Sequence, residues 1–205
     1  MGVVETDFGL YPTIAVSDGV NTACCLCAAQ VASRKGRPDV ALGCALVAVA
    51  SGVGTLRFGL FPRQLAYWNG LLAGLGGTVG VPLIGLGFAR ARGVEPLPGL
   101  LEAAEPFPGK VLAVLVGAGL LVTLGTPPAV AELYTTLVCV AGFGCMLLAE
   151  GSGNPTALVA VALFVLAGLV VGNSRRDADA VLGVLRENWF HYMLGTSMLL
   201  FAHAL

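Results

Sequence analysis

Long apolar runs, separated by short polar segments, set the pattern of this chain. A helix needs about 20 mainly apolar residues to cross the hydrocarbon core of a bilayer. The pattern predicts an all-α fold, a polytopic transmembrane helix bundle of seven spans in a single domain, 1–205. The fourth and sixth runs are short, so a bundle of six spans is the alternative. The predicted spans are approximately 12–33, 39–60, 65–89, 109–125, 128–149, 156–172 and 181–204.

Basic residues in the loops predict the orientation of the spans. Short cytoplasmic loops carry an excess of Lys and Arg. If the N-terminus is outside, six basic residues lie in inner loops and three in outer loops. We therefore expect the N-terminus outside and the C-terminus inside, in a membrane that the sequence does not identify. The inner residues are Arg34, Lys35, Arg37, Arg90, Arg92 and Lys110, and the outer residues are Arg63, Arg175 and Arg176.

The composition agrees with a membrane protein. Charged residues make up 11% of the chain, whereas soluble domains carry about 25%. A net charge of −1 gives no basic surface, so nucleic acid is not an expected partner. The expected partners are the lipid bilayer and other membrane protein subunits. Many of the 29 glycines lie inside apolar runs, where small residues allow close helix packing. In the fourth span, we expect Gly117 and Gly119 to pack in this way.

Eight side chains inside the predicted spans fall at similar depth, toward the predicted outer side. Ionisable groups inside a membrane are costly and usually face the bundle interior, so we expect a polar pocket that faces outward. Two members, Trp68 and Glu132, lie within one turn of the interface and are equally consistent with helix-end residues. The candidate ligand-binding or buried polar cluster is Asp18, Asn21, Arg57, Trp68, Asn69, Glu132, Glu187 and His191.

Asp18 and Arg57 are predicted to form the central ion pair of this cluster. The first two spans are joined by the short loop 33–38, so they are expected to be antiparallel neighbours. Counted from that loop, Asp18 lies about 15 residues along the first span and Arg57 about 19 residues along the second, so their Cα atoms differ in height by about 6 Å. An arginine side chain can bridge that distance. An unpaired charge at this depth would cost about 2.5–3.5 kcal/mol.

No cofactor, metal site or catalytic residue is assigned from the sequence. A retinal protein needs a lysine deep within a span, but Lys35 lies in a predicted loop and Lys110 at the loop-side edge of the span 109–125. His191 and His203 share one span and lie about 18 Å apart along its axis, so one haem iron cannot bind both. A zinc site with a single histidine is uncommon. The six cysteines lie in apolar runs and are interpreted as small packing residues.

One set of residues resembles a known group of sequences. Asp18, the G-x-G-x-x-R-F-G pattern of residues 52–59 and Trp68 are similar to a group of uncharacterised multi-span membrane proteins, over about residues 15–88. The resemblance implies a multi-span membrane fold and no particular activity. In that group a histidine stands where this chain has Arg57. Because arginine is permanently charged, Arg57 cannot act as a metal ligand or proton shuttle as a histidine could.

Three functions fit these observations. The favoured one is an accessory or assembly subunit of a larger membrane complex, because the chain is small and rich in Gly and Ala. The second is a transporter or binding protein for a small anionic or zwitterionic ligand held near Arg57. The third is a metal-dependent intramembrane hydrolase that uses Asp18, Glu132, Glu187 and His191. The sequence leans against an enzyme, because no complete catalytic constellation is evident.

Overall fold

The computed structural model describes residues 9–93, 108–150, 153–171 and 180–205, and in this part of the chain the fold is all-α, as predicted. The described residues contain seven helices and one two-stranded hairpin. The helices are α1 (Pro12–Arg34), α2 (Pro38–Gly59), α3 (Ala66–Arg92), α4 (Pro108–Gly125), α5 (Pro128–Glu150), α6 (Pro155–Val171) and α7 (Arg186–Ala204).

The hairpin precedes α7 and changes where that helix begins. Strand β1 (Ala180–Val181) pairs antiparallel with β2 (Val184–Leu185). The two connecting residues, Leu182 and Gly183, have φ angles of 54° and 77°, as a tight hairpin turn requires. Because these residues form an extended hairpin, α7 begins at Arg186 and not at position 181, where the sequence pattern placed the start of a span.

Proline marks the start of most of the helices. Five of the seven helices in the described residues begin at a proline. The first turn of a helix has no acceptor for its N–H groups, and proline has neither the N–H nor freedom in φ. The apolar runs are therefore bounded by residues that fix where each helix starts. These residues are Pro12, Pro38, Pro108, Pro128 and Pro155.

Helix α3 contains a π-helical turn at Gly76–Gly80, immediately before Pro82. Proline cannot donate a backbone hydrogen bond to the carbonyl four residues earlier, here that of Thr78. An inserted π turn is one way for a helix to pass such a residue. The proline therefore causes a local irregularity, and the helix continues to Arg92.

The surface and the interior have the polarity expected of a protein in lipid. Four helices are long and apolar enough to cross a membrane, namely α1, α2, α3 and residues Ala129–Ala149 of α5. Large apolar side chains are exposed around the bundle, such as Leu26, Leu121 and Leu133. Asp18, Arg57 and His191, in contrast, are buried. Extended apolar surface of this kind is unusual for a soluble monomer.

Contacts near both ends of α1 define how the polar site is assembled. Helix α2 runs antiparallel to α1, since Tyr11 N–H donates to the Phe58 carbonyl. Helix α7 runs parallel to α1. Ser17 meets His191 near the start of both helices, and Lys35 donates to the Ala202 carbonyl at the opposite end. Both neighbours thus bring their polar residues to the same end of α1.

Small residues allow close packing at several crossings, as the composition predicted. A Cβ atom on Gly43 would lie 2.5 Å from the Gly80 carbonyl oxygen. In α4, a Cβ on Gly119 would lie 2.7 Å from Thr78 Oγ1, whereas Gly117 has no heavy atom within 4 Å of that position. Of the two glycines expected to pack in α4, therefore, Gly119 is in close contact and Gly117 faces open space.

Candidate functional site

Six buried side chains from three helices form one hydrogen-bonded chain, which we call the polar network. Helix α1 contributes three of them, within five consecutive residues, and α2 and α7 contribute the other three. All six are buried, so protein groups satisfy them in place of water. The network consists of Ser17, Asp18, Asn21, Ser51, Asn188 and His191.

His191 lies at the centre of the network. Its Nδ1 is 2.9 Å from Ser17 Oγ, and its Nε2 is 3.2 Å from Asp18 Oδ1. Ser17 and Asp18 are consecutive in α1, so two adjacent residues of one helix hold the two nitrogens of one imidazole. The ring is thereby fixed in position and in orientation.

The α2 side of the network continues from the Asp18 carboxylate. Asp18 accepts a hydrogen bond from the Ser51 hydroxyl, and Asn21 Nδ2 donates to Ser51 Oγ at 2.6 Å. Gly54 leaves the space that the carboxylate occupies, because a Cβ there would lie 2.8 Å from Asp18 Cγ. The same position is 3.2 Å from Asn69 Oδ1, so α3 reaches the edge of the network.

The Ser17 hydroxyl has one proton and three acceptors within reach. These are Ile14 O at 2.9 Å, Asn188 Oδ1 at 3.1 Å and His191 Nδ1 at 2.9 Å. When neutral His191 donates its Nε2–H to Asp18, its Nδ1 accepts a hydrogen bond from the Ser17 hydroxyl. When His191 is protonated, its Nδ1–H donates to Ser17 Oγ, and the Ser17 hydroxyl donates to the Ile14 carbonyl oxygen. The network can therefore be satisfied in two states that differ by one proton.

Two further charged residues act on the carboxylate of Asp18. Arg57 is 4% exposed, its Cζ lies 4.6 Å from the centroid of the Phe58 ring, and its positive charge attracts Asp18. Glu187 is half-buried and repels the same carboxylate. Of the predicted Asp18–Arg57 pair, the structure shows an electrostatic attraction, while Asp18 Oδ1 makes its short contact with His191 Nε2 at 3.2 Å.

The structure places the eight predicted cluster residues in three groups. The first group is buried at the network and consists of Asp18, Asn21, Arg57 and His191. The second is half-buried at its edge and consists of Asn69 and Glu187. The third is exposed and is not brought to the network: Trp68 is 53% exposed at the start of α3, and Glu132 is exposed on α5.

Sequence reasoning missed three members of the network: Ser17, Ser51 and Asn188. The contact of Ser51 with Asn21 could have been predicted, since the two residues lie at nearly equal distances along the chain from the loop 33–38 and therefore at similar depth. Asn188 stands three residues before His191, on the same helix face. Ser17 carries no signal of its own, because a serine in a helix commonly bonds to the backbone of the preceding turn.

A groove of about 450 Å³ lies beside the network, between the start of α1, the hairpin and the start of α7. Most of its wall is apolar. Asn188 is one of its lining residues and also contacts the Ser17 hydroxyl. A molecule in the groove would therefore meet the polar network at Asn188. The lining residues are Pro12, Thr13, Val16, Gly183, Val184, Leu185, Asn188 and Tyr192.

Among the described residues, no group of three or more His, Cys, Asp or Glu side chains is arranged to hold a metal ion. Of the four residues considered for a metal-dependent hydrolase, Glu132 is exposed on α5 and apart from the other three. Comparisons with protein-family models, with curated proteins and with solved structures found no match for this chain. The geometry of the network and the groove is therefore the basis for assigning a function.

Proposed function

We propose that this is a multi-pass integral membrane protein whose seven helices all cross the bilayer, with the N-terminus outside, and that it binds a small amphipathic ligand between α1 and α7. The excess of basic residues in the inner loops supports the orientation. Several of these residues gather at the end of the bundle opposite the polar network. There Arg90 pairs with Asp39, and Lys35 reaches the end of α7.

One observation carries the binding proposal: Asn188 belongs both to the wall of the groove and to the buried network. Ligand sites are usually concave and mainly apolar, with a few polar groups that orient the ligand. The groove has this character, with Val16 and Leu185 as apolar walls and Asn188 as the polar group. An apolar chain suits the walls, and a carbonyl or hydroxyl suits the amide of Asn188.

Labelling of introduced cysteines tests the orientation. Arg63→Cys should react with a membrane-impermeant maleimide added to intact cells, and Gly36→Cys should react only after permeabilisation. Wild-type protein, which contains six cysteines, is labelled in parallel as the background. Labelling of Gly36→Cys from outside, with Arg63→Cys protected, contradicts the proposed orientation.

Photo-crosslinking tests the ligand site. The probe is a phosphatidylcholine that carries a diazirine on one acyl chain, added to the full chain in detergent micelles. We expect crosslinked peptides at the groove, around Val16 and Tyr192. Val16→Trp should fill the groove and remove these crosslinks. Val20→Trp is the matched control, because Val20 lies one turn further on the same exposed face of α1 and does not line the groove.

A role as a subunit of a larger complex is the second candidate. In the most apolar segment of α5, 17% of the residues are buried, compared with 61% in the corresponding segment of α3. Leu133, Leu137 and Val140 of α5 are 60%, 60% and 62% exposed. Such a face suits either lipid or a partner helix. Crosslinking from Leu137 to one protein in stoichiometric amount supports the subunit role, and crosslinking to lipid alone opposes it.

A further inference from the structure

Ser17, His191 and Asp18 are arranged in the order of a nucleophile, a general base and a positioning carboxylate. The distance from Ser17 Oγ to His191 Nδ1, 2.9 Å, is within the range for proton transfer to a base. When Asp18 is ionised, its Oδ1 accepts a hydrogen bond from His191 Nε2–H, which leaves Nδ1 free to accept the Ser17 proton. These roles are recognised by geometry and do not depend on order in the chain.

If Pro12 lies at the outer edge of the headgroup region, Ser17 lies near the depth of lipid ester bonds. Ser17 is five residues after Pro12, about 8 Å along the axis of α1. The polar headgroup region adds about 5–8 Å on each side of the hydrocarbon core, and glycerol esters lie at the boundary between the two. The groove begins at Pro12 and is lined by Val16, whose side chain is exposed on the surface of the bundle.

We propose that Ser17 is the nucleophile of a hydrolase that cleaves ester bonds of amphipathic lipids in this groove. The proposal rests on the proposed ligand site and adds a reaction to it. It differs from a metal-dependent hydrolase, since a base and a nucleophile in contact need no metal. Asn188 separates Ser17 from the groove, so a bound ligand must displace the Asn188 side chain to reach the hydroxyl.

The reaction follows from the contacts of the network. Ser17 Oγ attacks the ester carbonyl carbon while its proton passes to His191 Nδ1. The bond from the carbonyl carbon to the alkoxy oxygen breaks, and the alcohol leaves with the proton from His191. A water molecule then gives a proton to His191 and attacks the acyl carbon. The bond from that carbon to Ser17 Oγ breaks, His191 returns the proton to Ser17 Oγ, and a carboxylic acid is released. Asp18 is a positioning residue, since it acts through the imidazole.

The direct test uses a long-chain alkyl fluorophosphonate and para-nitrophenyl laurate with the full chain in detergent micelles. We expect a covalent adduct that peptide mass spectrometry assigns to Ser17, together with release of nitrophenol. Ser17→Ala should abolish both signals. The matched control is Ser197→Ala, because Ser197 is a buried serine of α7 whose hydroxyl donates to the Ala160 carbonyl at 2.7 Å, outside the network. The Ser197→Ala variant should still form the adduct at Ser17.

Two variants separate catalysis from structure. His191→Gln should slow adduct formation by about 100-fold or more, the usual contribution of a general base. Asp18→Asn should also slow adduct formation per folded molecule, measured on the folded fraction from gel filtration, while diazirine crosslinking in the groove per folded molecule is unchanged. A purely structural role of Asp18 would lower both signals together.

The outcomes distinguish the two proposals. If the wild-type chain crosslinks to the lipid probe but forms no adduct at Ser17, the hydrolase is overturned and the binding site stands. An adduct that persists in Ser17→Ala also overturns the hydrolase. If the lipid probe does not crosslink at the groove, the proposed function itself fails. Circular dichroism and gel filtration of each variant establish that it is folded.

Discussion

The two ends of α1 carry polar groups of similar chemistry in different surroundings. At one end, Asp18 and His191 are 4% and 7% exposed and are satisfied inside the polar network. The other end, which we call the charged end, consists of Lys35, Asp39 and Arg90. There the side chains of Asp39 and Arg90 are 20% and 27% exposed, so water reaches both. We therefore expect burial, more than charge, to decide how much each polar group contributes to stability.

The physical reason is the cost of leaving a polar group without a partner. In a buried site, removing one partner leaves the other in a low-dielectric interior with no group to stabilise it. At a site that water reaches, solvent replaces the lost partner. The network end should therefore be sensitive to single substitutions and the charged end tolerant of them.

The largest effect is expected for the charges around the network. Asp18→Asn and Arg57→Gln should each lower the free energy of unfolding by about 3–5 kcal/mol, because each removes one of two opposite charges that attract each other in a buried site. The double variant should lose less than the sum. Equilibrium unfolding of all three in detergent measures this, and additive losses mean that Asp18 and Arg57 do not interact.

An intermediate effect is expected from filling the space around the Asp18 carboxylate. A Cβ on Gly54 would lie 2.8 Å from Asp18 Cγ, so Gly54→Ala should cost about 1–3 kcal/mol of stability through overpacking. Gly52→Ala is the matched control, because its Cβ would be 3.8 Å from Thr22 Cγ2, an ordinary contact. Equal melting temperatures of the two variants contradict the packing argument.

The smallest effect is expected at the charged end. Asp39→Asn should cost about 1 kcal/mol or less, because the Asp39–Arg90 pair is partly hydrated. The cost should shrink further when the salt concentration rises from about 0.1 to about 1 M, as screening shortens the range of the interaction. Unfolding midpoints at the two salt concentrations measure it. If Asp39→Asn lowers the free energy of unfolding as much as Asp18→Asn does, the proposed difference between the two ends is wrong.

Local patterns allowed prediction of the helices but only part of the site. Hydropathy and prolines mark each helix because both act within the helix itself. The depth of a residue along its helix can also be counted from the sequence, and this count predicted similar depths for Asp18, Asn21 and His191. The direction in which a side chain points is set by packing between helices, which the sequence pattern does not contain. Glu132 shows this limit, since it was expected in the pocket and is exposed on α5.

The missing members of the network follow from the same limit. The pairing of α1 with α7 joins residues 174 positions apart, and no local signal indicates that these helices are parallel neighbours. Without that contact, Ser17 is an ordinary helix serine and Asn188 is a polar residue near a helix start. With it, both become partners of one imidazole.

The long separation between α1 and α7 has a consequence for biosynthesis. Ser17 and Asp18 emerge from the ribosome 174 residues before His191 can be placed beside Ser17, a delay on the order of 10–35 s at about 5–20 residues per second. During that time α1 carries a carboxylate whose ring partner does not yet exist. The contacts of Ser17 and Asp18 with His191 therefore form only after α7 has been synthesised. A chain that stops before α7 lacks the His191 contact of Asp18, so we expect it to be less stable than the full chain.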